Sequence, residues 1–165
     1  MKVRRDLKII PDPYTGKEYV VVPPVIPELA IVHAVRGSRD GEVITLASRN
    51  DRLLAMSAKR TIAVVEELVA PEEVLAGRQE IFVAAAHIDA VVLAPGGAHP
   101  TGCPGRYETD AAHMREYLEA AKNDDDFRVY LDKYIFRPAD HEEYLAAVSF
   151  RETAAGSGRG GQGGF

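Results

Sequence analysis

The sequence predicts an α/β fold, an open strand-rich sheet with a helical C-terminal end. Two observations carry this expectation. Through the first two thirds of the chain, short apolar runs rich in β-branched residues recur between Pro, Gly and Asp-Gly breaks. Through the last third, apolar residues recur at three- and four-residue intervals. The length agrees with both: 165 residues, 46% hydrophobic and 27% charged, suit one domain with its own core and exclude wholesale disorder. The expected organisation is an α/β domain over 1–150 and a Gly-rich disordered tail over 151–165.

Tyr19–Val22 predicts a strand, and Pro23, Pro24 and Pro27 end it because proline gives no N–H to a sheet ladder. Leu29–Val35 is almost continuously apolar, as in a strand buried on both faces. Asp40-Gly41 then supplies a tight turn before Glu42–Leu46, which reads as a hairpin at one end of a buried sheet. Asn50 is placed to cap a short helix whose Leu53, Leu54, Met56 and Ala58 point toward a core. Thr61–Val69 predicts another buried strand, and Pro71-Glu72-Glu73 opens a short helix with acids at its positive end. Ile81–Val83 and Ile88–Leu93 complete the strands, after which Pro95-Gly96-Gly97 starts a long loop reaching Glu108.

In the last third, Thr109 or Asp110 can cap a helix carrying Met114, Tyr117, Leu118 and Ala121 on one side. Phe127, Tyr130, Leu131, Tyr134 and Ile135 form the stripe of a second helix, which Pro138 stops. Asp140 with Glu143 resembles a capping box ahead of Tyr144, Leu145 and Val148.

Charge and composition exclude several functions. With 20 Lys+Arg against 25 Asp+Glu the net charge is −5, a poor match to phosphate backbones. The basic N-terminus (Lys2, Arg4, Arg5, Lys8) is interrupted by Asp6 and has no interleaved aromatics, so no nucleic-acid partner is expected. The single cysteine, Cys103, permits no internal disulfide. No apolar stretch approaches the ~20 residues of a membrane span, and a cytoplasmic protein without a membrane partner is expected.

The densest group of chemistry-bearing residues at a strand end is the loop carrying Gly96, Gly97, His99, Thr101, Gly102 and Cys103. Its glycines would let backbone amides approach a ligand, and His99 could donate to a carbonyl or phosphate. The alternative is a turn with a structural histidine. His99, Cys103, His87 and His113 match no compact metal motif, so no metal is expected. His33, inside an apolar strand, reads as a hydrogen-bonded core histidine, and His141 sits beside a helix cap. Glu66 and Glu67 are adjacent on a strand, face opposite ways, and make a poor acid/base pair. One is expected in solvent and the other beside a Lys or Arg. A thiol nucleophile at Cys103, with His99 as base, lacks an identifiable orienting group.

An ordered series of segments resembles the A subunit of the glutaconate CoA-transferase type within the class I CoA-transferases. It comprises Pro27-Glu28-Leu29-Ala30-Ile31-Val32-His33-Ala34, Ala58-Lys59-Arg60-Thr61-Ile62 and Val65-Glu66-Glu67-Leu68-Val69. Its most specific part is Ile88-Asp89-Ala90-Val91-Val92-Leu93-Ala94-Pro95-Gly96-Gly97-Ala98-His99-Pro100-Thr101, with Cys103, Tyr107 and Asp110. Asp140-His141-Glu142-Glu143-Tyr144-Leu145 adds a later match. The resemblance implies an open α/β sheet of the CoA-transferase type and A and B subunits that pair. Coenzyme A is then a substrate, moved between acyl-CoA and carboxylic acids, with no permanently bound cofactor. In such enzymes a glutamate attacks the thioester and then carries CoA as a glutamyl thioester. That glutamate belongs to the B subunit, so no catalytic residue is assigned here, and Gly96, Gly97, His99 and Cys103 are assigned to substrate binding.

The family's A subunit carries a further N-terminal half with glycine-rich segments, and this sequence matches only the C-terminal half. The chain is thus expected to be incomplete relative to that subunit and inactive alone, with a separate N-terminal-half chain among its candidate partners. A split subunit, a truncated product and a late-assigned start are all consistent with this. Two other readings stay open: a non-catalytic interaction module that kept the fold, and a CoA-thioester hydrolase or ring-cleaving relative.

Overall fold

The computed structural model describes residues 6–46, 50–74, 76 and 81–152. The predicted tail therefore lies outside the described residues from position 153 onward, as do Lys2, Arg4 and Arg5 of the basic N-terminus.

Among the described residues eight strands and five α-helices follow one another: β1 (Lys8–Pro11), β2 (Glu18–Val21), β3 (Ala30–Ala34), β4 (Arg36–Gly37), β5 (Val43–Thr45), α1 (Asp51–Ser57), β6 (Thr61–Val65), α2 (Pro71–Val74), β7 (Ile81–Val83), β8 (Ala90–Leu93), α3 (Ala111–Ala120), α4 (Asp124–Leu131) and α5 (His141–Ala147). The strands form, among the described residues, three small open sheets. β1 and β2 form an antiparallel hairpin, β3-β6-β8 a parallel sheet, and β4-β5-β7 an antiparallel sheet. In the parallel sheet β6 is central, with His33 opposite Val64 and Ala63 opposite Val91.

The core is Val32, Ala34, Val43, Ala55, Ala63, Val65 and Val83, with Leu68, Ile88 and Val91 packed against it. It thus lies between one face of the parallel sheet, the antiparallel sheet and α1. The strand expected over Leu29–Val35 is shorter and buried on one face only. Ala30, Val32 and Ala34 are buried, whereas Ile31 between them is 63% exposed. A bend at Val35 ends it, and the chain continues as β4, which makes the hairpin with β5. Gly41 closes that turn at φ +107°, open to glycine alone without strain.

Four further expectations are corrected. The run Thr61–Val69 is extended only to Val65, because the chain turns at Glu66 to place that side chain among hydrogen-bond donors. In α1 it is Ala55, not Leu53, Leu54 and Met56, that is buried: the small side chain lets the helix lie close to the sheets. The Asn50 side chain makes no cap bond. After α4 the helix widens into a π turn over Asp132–Phe136, which inserts a residue into the stripe. Tyr134 therefore turns inward and Ile135 outward.

Other local signals hold. Asp110 caps α3 by accepting from the Ala112 and His113 amides at 3.0 and 2.8 Å. Asp140 caps α5 by accepting from Glu143 N at 2.9 Å, while the Glu143 carboxylate reaches back to Ala139 N at 2.8 Å. β8 begins at Ala90, after a 3₁₀ turn over Ala85–His87. β1 is an element that the sequence reading omitted.

The second face of the parallel sheet is only half covered. The loop after β8 lies against its C-terminal end, where Gly97 approaches Val64. On the same face Ile31, and Val92 on the edge strand beside Val64, remain exposed. Parallel sheets ordinarily bury both faces.

Candidate functional site at the strand ends

His33 on β3 and Glu66 just past β6 fall on the same face, since the parallel register pairs His33 with Val64 and Glu66 lies two residues further along. Their side chains meet: His33 Nε2 is 2.5 Å from Glu66 Oε1. The Tyr107 hydroxyl donates to the same oxygen, and Gly96 N–H donates to Oε2 at 2.7 Å. At 2% exposure Glu66 is the one buried acidic residue among the described residues. Burial pushes its carboxyl upward, but the bonds from His33, Tyr107 and Gly96 outweigh this and hold it below the usual carboxylate range. Burial and the Glu66 bond together push the Tyr107 phenol well up.

The loop from Gly96 to Cys103 is fastened to this carboxylate and to itself. Gly96 N–H goes to Glu66, and Ala98 N–H to the Tyr107 hydroxyl at 3.0 Å. Gly97 N–H goes to Ala94 O, His99 N–H to Gly96 O, Thr101 N–H to Ala98 O and Cys103 N–H to Tyr107 O. Gly102 N–H goes to Thr109 Oγ1 at 3.1 Å. Pro100, joined by a cis bond to His99, has no N–H. Every amide of the segment is thus engaged within the protein, so what it presents to a ligand is shape and side chains rather than N–H donors.

The four residues singled out in the sequence take different positions. Gly96 is buried at φ +75°, where a Cβ would come within 3.0 Å of Leu145 and Phe150. Gly97 is the exposed member. The His99 side chain, 4% exposed, is bonded through Nδ1 to Tyr144 at 2.7 Å and lies 3.4 Å from Asp110 Oδ2. Cys103 is fully buried, its sulfur near His33 and Glu66 rather than beside a free base. Burial pushes the Tyr144 phenol up to about 12. His113 packs edge-on against His99 at 5.0 Å and bonds Tyr130 at 2.7 Å; burial, then the neighbouring His99, holds its pKa down.

His33 is a hydrogen-bonded core histidine, as expected, and His141 bonds Pro95 O at 2.7 Å. Of the two adjacent glutamates, Glu67 is beside an arginine as expected, Arg106, which also lies 3.5 Å from Glu152, but Glu66 is buried rather than in solvent. The sequence reading missed the joint His33–Glu66–Tyr107 arrangement. Its signal was two polar residues, one in and one just beyond adjacent apolar strands.

No model of a known protein family matches the chain. It is, however, 34% identical over 154 residues to the A subunit of glutaconate CoA-transferase from Acidaminococcus fermentans, covering 87% of this chain and 48% of that one. The crystal structure of that glutaconate CoA-transferase superposes with a TM-score of 0.78 over 87% of this chain and 46% of the other, at 34% identity. The A subunit of 3-oxoadipate CoA-transferase from Pseudomonas knackmussii is 30% identical over 149 residues, covering 90% of this chain and 52% of that one. The cholesterol ring-cleaving hydrolase IpdA subunit of Mycobacterium tuberculosis is 31% identical over 143 residues, covering 84% and 48%.

An α/β body of open sheets with this loop at its strand ends defines the CoA-transferase class of fold. Within it, the chain is homologous along most of its own length to the A subunits of the glutaconate CoA-transferase type. It spans about half the length of the relatives it matches.

Proposed function

We propose that this chain corresponds to the C-terminal half of an A-type subunit and acts with a B-type subunit to move CoA between carboxylic acids. The observation that carries this reading is the state of Glu66. The buried carboxylate at the strand ends is held by three donors and serves as an anchor, so the attacking carboxylate is supplied by the partner. The half-covered sheet supports the same reading, because Ile31 and Val92 offer an apolar face for another part of the assembly to cover. Gly96, Gly97, His99 and Cys103 then contribute a rigid wall of the acyl-CoA site. Gly97 faces outward, and the other three hold the wall's shape. In the reaction the partner's glutamate displaces CoA thiolate from the acyl-CoA, forming an anhydride. The thiolate then attacks the glutamyl carbonyl and releases the first acid, and the second acid reverses the sequence.

The test is affinity purification from the source cell with native mass spectrometry, followed by exchange of labelled acid into acyl-CoA by the recovered complex. The expected result is a complex with a B-type chain and a borohydride-trapped adduct on that chain's glutamate. Transfer by the isolated chain with an adduct at Glu66 or Glu67 overturns the proposal. A folded chain recovered alone, without activity on adding candidate partners, supports the non-catalytic module. Similarity to the ring-cleaving IpdA subunit favours a second reading, in which the assembly opens a ring or hydrolyses a thioester. Free CoA or an opened ring among the products selects it.

A further inference from the structure

We propose that His33, Glu66 and Cys103 form a binding site for a divalent cation of the zinc class, where β3, the end of β6 and the loop after β8 meet. The three side chains bring one nitrogen, one oxygen and one sulfur, all within 4.8 Å of one another. Imidazole with thiolate and carboxylate suits zinc and disfavours the hard cations Mg²⁺ and Ca²⁺, which take all-oxygen sets. The sequence conceals the site because its ligands come from three distant segments rather than from a compact spacing motif.

The geometry is close to what the ion needs. Zinc bonds of about 2.1 Å to N or O and about 2.3 Å to S place tetrahedral ligands roughly 3.3–3.6 Å apart. The His33 and Glu66 atoms, at 2.5 Å, must separate by about 1 Å, and the sulfur must close in by up to about 1.2 Å. Both are side-chain adjustments. The surroundings resemble a metal site's outer hydrogen bonds: Gly96 N–H on Oε2 and the Tyr107 hydroxyl on Oε1 fix the carboxylate's orientation. Glu66 and Cys103 are buried, whereas His33 keeps 14% of its side chain exposed, so the ion enters from that side. Binding releases the Cys103 thiol proton to solvent and takes the place of the hydrogen bond between His33 Nε2 and Glu66, with the neutral imidazole carrying its ring proton on Nδ1. The bound ion pins the far end of the Gly96–Cys103 loop to the sheet. This inference stands independently of the proposed transferase role.

The test is titration of the tag-free, EDTA-treated full chain with Co²⁺. The expected result is one ion per chain with a near-ultraviolet thiolate-to-cobalt band that Zn²⁺ displaces. Cys103→Ser is expected to abolish the band. His33→Gln, at the partly exposed ligand, is the second variant and is expected to weaken binding more than tenfold. Tyr107→Phe, which touches only an outer bond, is expected to keep the band with affinity lower by about 10–100-fold. Circular dichroism checks that each variant is folded. No stoichiometric binding, a band that survives Cys103→Ser, or undiminished affinity in folded His33→Gln overturns the proposal.

Discussion

Replacing Glu66 by Gln changes almost no volume and tests the anchor directly. Glutamine keeps one acceptor oxygen and puts an NH₂ donor in place of the other. If the nitrogen takes the Oε2 position it confronts the Gly96 N–H, donor against donor. If it takes the Oε1 position it confronts the Tyr107 hydroxyl, which already accepts from Ala98 N–H. Either way a buried donor is stranded. Bonds to a charged acceptor contribute about 1.5–3 kcal/mol each and a stranded buried donor costs about 1–3 kcal/mol, so the variant should lose about 2–4 kcal/mol. For a domain of this size that lowers the melting temperature by roughly 4–16 °C.

The pH dependence carries a second check. Because the folded Glu66 carboxyl is held below its ordinary value, its contribution is complete above the unfolded pKa of about 4.3 and is lost as pH falls through the lower folded value. Melting curves of parent and variant should therefore differ most near neutrality and converge in acid. A variant within about 0.5 kcal/mol of the parent at pH 7, or a gap that persists unchanged in acid, would refute the anchor.

Three other outcomes follow from the geometry. Gly96→Ala should cost about 1–3 kcal/mol in urea unfolding, since it combines a left-handed φ with contacts of 3.0 Å to Leu145 and Phe150. Asp110→Ala removes the α3 cap and should lower stability by about 1 kcal/mol in the same assay. Ile31→Lys, on the half-covered face, should change the chain's own stability by no more than about 0.5 kcal/mol while reducing apolar-dye binding and recovery of the complementary chain. A loss as large as that of a core truncation would show that the face is already packed.

What the sequence made legible was local. Asp110 and Asp140 announced helix starts, Asp40-Gly41 announced a turn, and β-branched runs located β3, β6, β7 and β8, because each signal acts within a few residues. Pairing was not legible. β1 ends in Pro11 beside charged residues and becomes a strand only through β2, and the continuous apolar run around Ile31 hid that one face is exposed. The loop was found from its glycines and histidine, but its amides' partners were not, since Glu66 and Tyr107 are distant in sequence. Only the β3–β6 register brings His33 onto the face of Glu66.

The internal engagement of every amide from Gly96 to Cys103 bears on how this lineage can diverge. Backbone shape here is inherited from the sheet through one carboxylate, so it survives changes in the outward-facing side chains. New molecular preferences can arise at positions such as Gly97 and Thr101 while the scaffold's architecture passes unchanged from ancestor to descendant. A change at Glu66, by contrast, alters recognition and foldedness together, and such variants should be rare among descendants that still assemble.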